Sequence, residues 1–403
     1  AYESASKETN ERLEFLGDSV LGLIVTEELY KRYPDLDESR LSPLRSGVVN
    51  MRALADIART LELGQYIRLG KGEEVTNGRD KNSLLADALE ALIGAIYLHA
   101  GLATTASIVQ KLIATTLTQA MQRGAAIVAG HARVGADLAQ ERLAEFTSGA
   151  LRHYGAGRDI PGEDGTSKLA ENLSLGEITP AQCWHAGKAE LDRGNPGAET
   201  FLKELVWREF AYHLLHHTPQ ILTRNWKPAW DAFPWSEDAS SAKFTAWKTG
   251  RTGLEFIDAA MRELYVTGTM HNRGRMIVAS YLTKHLMTHW RLGQAWFEDC
   301  LIDWDPASNA MGWQWAAGSG PDAAPYFRVF NPETQIEKFD PDRRYRKMWI
   351  AEGQAAPPPS ALHYFDAAPP SWGLSAQSSY PVPIVSAKDG REIALSSYKA
   401  RDF

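Results

Sequence analysis

Tryptophan is distributed very unevenly along this chain of 403 residues. All 13 tryptophans lie between Trp184 and Trp372, and the first 123 residues contain none. A single hydrophobic core usually stops growing at about 250–300 residues, so more than one domain is expected at this length. We therefore predict two domains, residues 1–123 and 137–403, joined by a seam at residues 124–136, which are small and weakly patterned.

Apolar periodicity predicts an all-α fold. Periodic apolar runs fill the stretch from Glu11 to Gln122 apart from a Gly- and Asn-rich loop at 70–81, and none has the alternation of a strand. From Asp137 onward, long helical stretches alternate with glycine and proline loops. We find no apolar run that we judge long enough to span a bilayer and no signal-peptide layout, so we expect a cytoplasmic protein without a membrane partner.

Net charge does not indicate nucleic-acid binding in either half. The formal charge is -7, with 14 basic and 17 acidic residues up to Arg123 and 29 basic and 33 acidic residues beyond it. Binding through bulk positive charge is therefore not expected, and contact with a nucleic acid would depend on local patches.

Carboxylates occupy unusual positions in the first domain. Glu11, Glu14 and Asp18 share one face of a predicted helix, and Asp87 and Glu90 are the only acidic residues in the apolar run 84–98. Burying unpaired carboxylates is costly, and a Mg²⁺ ion with oxygen ligands would remove that cost. Such ions activate water for phosphodiester hydrolysis.

An alternative for the second helix needs no metal. Asp87 and Glu90 could cap a helix or pair with arginines elsewhere in the chain, such as Arg12 or Arg45. Spacing alone leaves both interpretations open.

Two segments of this domain resemble the ribonuclease III family. They are Asn-Glu-Arg-Leu-Glu-Phe-Leu-Gly-Asp-Ser-Val-Leu at 10–21 and Ala-Asp-Ala-Leu-Glu-Ala-Leu-Ile-Gly-Ala at 86–95. The resemblance implies a homodimer that cleaves double-stranded RNA, although we expect the family's first helix and its RNA-binding domain to be missing. It also implies Mg²⁺ ligands at Glu14, Asp18, Asp87 and Glu90, supported by Glu11 and Glu38.

In the second domain, tryptophans stand among polar residues in helical segments. Examples are Trp207-Arg208-Glu209-Phe210, the run 270–276, and the run 303–315. A lone tryptophan is usually a core residue. This recurrence of Asn, Arg, Asp and Trp instead indicates a large aromatic cofactor with an anionic phosphate end, although plain core packing stays open for each tryptophan.

These segments, with Gly165-Thr-Ser-Lys-Leu169 and 201–210, resemble the FAD-binding helical domain of DNA photolyases. The resemblance implies that FAD is held by nine residues: Tyr154, Thr166, Ser167, Lys168, Leu169, Arg275, Asp303, Asp305 and Asn309. It implies a flavin-reducing relay of Trp313, Trp290 and Trp235. It further implies a pocket for a cyclobutane pyrimidine dimer in UV-damaged DNA, formed by Glu204, Trp207, Asn272, Arg273, Met276 and Trp315. Glu204 and Asn309 are expected to act in catalysis, and the family's antenna domain is expected to be missing.

Taken together, these patterns predict light-driven, FAD-dependent repair of pyrimidine dimers, joined to a Mg²⁺-dependent double-stranded RNA endonuclease domain. Two alternatives stay open. One is an artificial or misassembled chimera with one or both activities impaired. The other is a cryptochrome-like flavin photoreceptor that uses the nuclease domain for dimerisation.

Overall fold

The computed structural model describes residues 9–32, 34, 38, 41, 45, 49–69, 78–122, 125–321, 328–369 and 372–401, with the backbone alone at 52, 114–122 and 125–126. Helices dominate, and the described residues contain no strand beyond an isolated bridge between Ser236 and Thr288. The predicted all-α fold is confirmed. The chain divides into two compact units, Ala1–Gly130 and His131–Phe403.

The first unit has four α-helices in its described part. They are α1 (Glu11–Arg32), α2 (Met51–Thr60), α3 (Asn82–Gln122) and α4 (Ala125–Ala129), with 3₁₀ turns at Leu63–Tyr66 and Gly78–Asp80. The Asn50 side chain caps α2 by accepting from the Ala53 N–H at 2.9 Å. Buried apolar residues of α1, α2 and α3, among them Leu21, Leu54 and Leu89, form one core.

Helix α3 is interrupted at Gly101, whose φ of 73° and ψ of 173° are not helical. Within the described residues, Asn82–Ile113 is long and apolar enough by composition to cross a membrane. The expectation that no apolar run reaches this length is therefore wrong. However, Leu85, Leu89 and Ile93 of this stretch pack in the core of the unit, and the break at Gly101 falls inside it. A core helix passes the same test of composition.

The second unit contains fourteen α-helices in its described part. They are α5 (Ala136–Ser148), α6 (Tyr154–Gly157), α7 (Ala170–Ser174), α8 (Pro180–Asp192), α9 (Ala198–His217), α10 (Ala242–Lys248), α11 (Glu255–Thr267), α12 (Asn272–Ser280), α13 (Trp290–Cys300), α14 (Pro306–Ala317), α15 (Pro332–Phe339), α16 (Arg344–Trp349), α17 (Pro359–Ala367) and α18 (Ala387–Ala400). A π-helical turn, Tyr281–His285, follows α12 directly. Short 3₁₀ turns lie at Ala150–His153, Pro219–Leu222 and Pro228–Ala232.

Side-chain capping hydrogen bonds stabilise the first turns of several of these helices. Thr179 and Gln182 form a reciprocal capping box at the start of α8, and Asp305 caps α14 by accepting from the Ser308 N–H at 2.7 Å. Helix α11 is central, because nearly every residue from Phe256 to Thr267 is buried. The buried Arg262 of α11 pairs with Glu352 through two hydrogen bonds of 2.6 and 2.9 Å, which satisfies both charges inside the core.

Candidate functional sites

Three carboxylates meet where α1 crosses α3 in the first unit. Glu14 of α1 and Asp87 and Glu90 of α3 each offer an oxygen atom, and these oxygens lie within 4.8 Å of one another. All three side chains are half-buried. Carboxylate oxygens at this spacing are the donors that Mg²⁺ prefers, so the residues present fit that ion.

Two glycines explain why the helices come so close. A Cβ atom at Gly17 would lie 1.7 Å from the Glu90 carbonyl oxygen, and one at Gly94 would lie 2.3 Å from the Leu13 carbonyl oxygen. Any side chain at either position would therefore collide with the opposite backbone. Both glycines stand inside the two acidic motifs, which ties the close approach to the residues that supply the carboxylates.

The electrostatics of the cluster oppose ionisation. Burial, then the charges of Asp18, Asp87 and Glu14, raise the pKa of Glu90 to about 7. Burial is also the main cause that raises the pKa of Glu14, followed by Asp87, and it raises the pKa of Asp87. Like charges held together in this way are stabilised by a bound cation.

The arginine alternative is not supported for the described residues. Within that part of the chain, no ion pair joins Asp87 or Glu90 to Arg12, Arg45 or another basic side chain. The metal interpretation is therefore the one that the geometry favours.

The remaining predicted acidic residues lie outside the group of three. Asp18 is exposed and does not belong to the group whose oxygens lie within 4.8 Å, although its charge acts on Glu14 and Glu90. Glu11 is exposed at the start of α1. Glu38 is also exposed, but its neighbours in the chain lie outside the described residues.

The second unit contains a cavity of about 450 Å³. Its wall is built mainly from α9, α12, α13 and α14 and the turn before α14. It brings together nine of the residues predicted for cofactor or substrate: Glu204, Trp207, Asn272, Arg275, Met276, Asp303, Asp305, Asn309 and Trp315. The relay residue Trp313 lines the same cavity. This volume is in the range of ordinary ligand pockets.

Asp303, in the cavity wall, has one carboxylate oxygen that is hydrogen-bonded and one that is not. Arg275 donates to Asp303 Oδ2 at 2.6 Å and to the Met270 carbonyl oxygen at 2.8 Å. The other carboxylate oxygen of Asp303, Oδ1, is buried without a hydrogen-bond partner in the described part of the chain. A buried carboxylate oxygen of this kind requires a donor, and the ring N–H of a flavin would supply one, so the residues present fit FAD.

Asp305 is held by several groups at once. Besides capping α14, it accepts a hydrogen bond from the Tyr212 hydroxyl, and Arg208 lies 3.8 Å away. Burial, then the hydrogen bond to Asp305, raise the pKa of Tyr212 to about 12, so Tyr212 keeps its proton and remains a donor. These contacts hold the carboxylate at the cavity wall.

Arg158 is a residue of the cavity that sequence reasoning missed. It lines the wall and forms an ion pair with Glu204, which itself is predicted to contact substrate. The signal that could have found it is a charged pair, Arg158-Asp159, just before the glycine-rich segment 162–165. Asp159 in turn pairs with Arg273 at 2.5 Å.

Six predicted residues are absent from this wall, although all six are described. Arg273 lies over the Phe339 ring, 4.3 Å from its centroid. The other five are Tyr154 and the run Thr166, Ser167, Lys168 and Leu169. Tyr154 and Leu169 are buried in an apolar cluster with Phe146 and Phe201. Lys168 has a positive φ of 52°, and its side chain pairs with Asp164 at 2.8 Å. Their roles toward a cofactor stay predictions.

The three relay tryptophans are all buried: Trp313, Trp290 and Trp235. Trp313 lines the cavity and packs against Gly293 of α13, where a Cβ would lie 2.1 Å from its ring. Trp290 begins the same helix, one turn earlier. Its N–H donates to the Asn225 side chain at 2.8 Å, and the ring of His289 contacts both Trp290 and Trp235, at 5.4 and 5.3 Å between centroids.

Comparisons with known proteins agree with this division. The family model "Ribonuclease-III-like" matches residues 1–117, and the model "FAD binding domain of DNA photolyase" matches residues 201–400. A deoxyribodipyrimidine photo-lyase of Agrobacterium fabrum is 48% identical over 267 residues, which cover 65% of this chain and 55% of that protein. The chain thus spans about half the length of the curated relatives it matches.

Two solved structures share the fold of the second unit. A bacterial class III photolyase from Agrobacterium tumefaciens is 46% identical, with a TM-score of 0.56, and the match covers 66% of this chain and 56% of that one. A cryptochrome from Synechocystis sp. PCC6803 is 32% identical, with a TM-score of 0.57 and the same coverage of the two chains. The chain therefore joins a domain of the ribonuclease-III-like family, at its N-terminal end, to an FAD-binding domain of the DNA photolyase family.

Proposed function

We propose that the second unit is a light-driven, FAD-dependent enzyme that repairs cyclobutane pyrimidine dimers in DNA. The observation that carries this proposal is the composition of the cavity wall. Residues predicted for the flavin, such as Arg275, Asp303 and Asn309, and residues predicted for the lesion, such as Glu204 and Trp207, line the same space. A cofactor and a substrate bound there would be in contact.

FAD, when bound, would supply light absorption and the electron that splits the dimer. The residues of this chain hold and orient the two ligands. Asp303, kept in place by Arg275, would accept from the flavin ring, and Asp305 would present its carboxylate to the ring edge. Trp207 is 46% exposed at the wall of the cavity, where a flipped pyrimidine dimer could stack against its indole.

Glu204 is expected to bind the bases of the lesion. Its ion pair with Arg158 orients the carboxylate. A damaged pair of neighbouring bases leaves the stack at lower cost than intact bases. In the substitution Glu204→Gln the flavin-binding residues are untouched, so we expect normal flavin absorbance with a repair rate lowered about tenfold, the loss of roughly one charged hydrogen bond.

The measurement is the light-dependent loss of dimers from irradiated DNA by the purified full chain. Glu199→Gln is the matched control, because Glu199 lies on the same helix, is exposed, and pairs only locally with Lys203 at 2.7 Å. A folded, colourless protein that takes up no FAD would contradict the proposal. A protein that binds FAD but leaves dimers intact would favour the photoreceptor alternative.

A second proposed function belongs to the first unit, and the triad of oxygens from Glu14, Asp87 and Glu90 favours it. We infer that this unit binds Mg²⁺ and hydrolyses double-stranded RNA. The ion would lower the pKa of a bound water and stabilise the leaving oxygen of the phosphodiester. The half-buried Glu90, whose pKa is raised by burial and then by the neighbouring carboxylates, would gain most from the bound ion.

We expect Glu90→Gln to abolish cleavage of duplex RNA, because the amide removes a charged ligand, and to weaken Mg²⁺ binding by at least tenfold. Isothermal titration with Mg²⁺ and a gel-based cleavage assay measure the two effects. Glu27→Gln is the control, since Glu27 is exposed on α1 and pairs only with Lys31. Equal Mg²⁺ affinity in both variants would refute the site.

Dimerisation through the first unit is part of the same proposal. Large apolar side chains are exposed on its helices, with Phe15 at 79% and Leu98 at 66%. We propose that these exposed side chains take part in the dimer interface. Analytical ultracentrifugation should show a dimer that Phe15→Glu converts to a monomer.

A further inference from the structure

A fourth indole lies against the outermost member of the predicted relay. The rings of Trp230 and Trp235 are stacked, with centroids 5.6 Å apart and planes inclined by 21°. Trp230 belongs to the 3₁₀ turn Pro228–Ala232 and is 8% exposed, compared with 9% for Trp235. The predicted relay, which ends at Trp235, leaves this ring without a role.

The backbone holds Trp235 in line with the inner part of the relay. The Ser236 N–H donates to the Met287 carbonyl oxygen at 2.8 Å, and the His289 N–H donates to the Ser236 carbonyl oxygen at 2.9 Å. These bonds fix the residue after Trp235 beside the residues before Trp290. The position of the stacked pair relative to Trp290 is therefore set by regular main-chain contacts.

The environment of Trp235 favours a mobile radical cation. Its indole N–H donates to the carbonyl oxygen of Thr283 at 2.8 Å, inside the protein. An amide carbonyl is a very weak base, so an oxidised Trp235 would keep its proton and its positive charge. A charge shared by two stacked rings is more stable than one on a single ring, and Trp230 provides the second ring.

Among the residues that the structure describes, a further aromatic neighbour of Trp230 is Tyr398, which is a poor acceptor for that charge. The Tyr398 ring centroid is 6.2 Å from that of Trp230, and Tyr398 is half-buried. The guanidinium carbon of Arg401 lies 3.3 Å from the Tyr398 centroid. A fixed positive charge at this distance opposes a second positive charge on the same ring.

We propose that Trp230 extends the relay beyond Trp235 and shares the one-electron hole with it. An electron passes from Trp230 to oxidised Trp235, so Trp235 is restored and Trp230 carries the radical cation, with no proton transferred. A thiol in solution then gives Trp230 one electron, releases its proton to water and becomes a thiyl radical. The inference rests on the proposed function, because it needs bound FAD, and on the predicted flavin-reducing relay, in which the photo-excited flavin would be the initial oxidant.

Flash photolysis of the flavin-loaded full chain tests this inference. In Trp230→Phe, the tryptophan radical is expected to decay several-fold faster than in the unchanged protein, because the hole stays closer to the flavin and recombines. Trp184→Phe, on the exposed surface of α8, and Tyr398→Phe are expected to leave the lifetime unchanged. Flavin content and circular dichroism confirm that each variant is folded.

A second variant gives a positive signature. Trp230→Tyr places a phenol that loses its proton on oxidation, so a tyrosyl radical should appear after the flash if the hole reaches this position. Its absence, or an unchanged lifetime in Trp230→Phe alongside a shortened one in Trp235→Phe, would overturn the inference while leaving the proposed relay intact. If Trp313→Phe were also without effect, the relay itself would fail and its extension with it.

Discussion

One side chain of the second unit, His285, is buried in an environment that disfavours its protonated form. His285 is fully buried in the π-helical turn, and neither ring nitrogen has a hydrogen-bond partner in the described part of the chain. Burial lowers the pKa of His285 to about 4, and the charge of Lys284 acts in the same direction. Its ring also contacts Tyr281 and packs against Gly390 of α18.

This histidine predicts acid sensitivity of the second unit. Because its pKa in the folded state is lower than the ordinary 6.5, the unfolded chain binds more protons between about pH 6.5 and 4. Stability is therefore lost as the pH falls through this window, by about 2 kcal/mol at pH 5.

The measurement is urea denaturation of the second unit at pH 7 and pH 5. His285→Phe keeps a ring but cannot be protonated, so the difference between the two pH values should shrink by about 2 kcal/mol. An equal pH dependence in the variant would show that other groups cause it.

At the scale of helices, the close contact between α1 and α3 depends on two glycines, which have no Cβ atom. Gly17 and Gly94 face the opposite backbone, so a Cβ at either position would collide with it. Gly22 lies on the same helix as Gly17, but a Cβ added there would meet no atom within 4 Å. The two positions of α1 thus form a matched pair.

We expect opposite effects from alanine at these positions. Gly22→Ala should stabilise the first unit by about 0.5–1 kcal/mol, because alanine favours the helix. Gly17→Ala should destabilise it by about 1–3 kcal/mol, because the methyl group forces the helices apart. It should also weaken Mg²⁺ binding, since the carboxylates of α1 and α3 move with their helices.

Thermal unfolding measures the stability of both variants, and Mg²⁺ titration measures their affinity for the ion. A Gly17→Ala protein as stable as the unchanged chain, with the same Mg²⁺ affinity, would mean that the glycine contact does not set the spacing of the carboxylates.

At the scale of the whole molecule, each unit has its own core. The core of the first unit is formed by residues from Val20 to Ile113, and a separate apolar cluster of the second unit runs from Ala139 to Leu205. Since a domain with its own core can fold alone, residues 131–403 expressed separately should fold and bind FAD as the full chain does.

The measurement compares flavin absorbance and thermal unfolding of this fragment with those of the full chain. A fragment that is soluble but colourless, while the full chain is yellow, would show that the first unit is needed for the second to hold its cofactor.

The sequence alone determined the all-α fold and the two families, and it predicted the kinds of residues at each proposed site. Helical periodicity is a local property, and it is enough to place Asp87 and Glu90 on an apolar helix or to set tryptophans among polar neighbours. The motifs that carry the family resemblances are likewise continuous in the chain.

Only the tertiary structure decided which of these residues meet. It left Asp18 outside the group of three carboxylates, placed Arg158 against Glu204, and buried Tyr154 in an apolar cluster, where its ring contacts Arg158 but does not line the cavity. Periodicity gives the face of a helix that a residue occupies, but the distance between two helices depends on the side chains packed between them. At the metal site that distance depends on Gly17, whose missing side chain lets Glu14 approach Glu90.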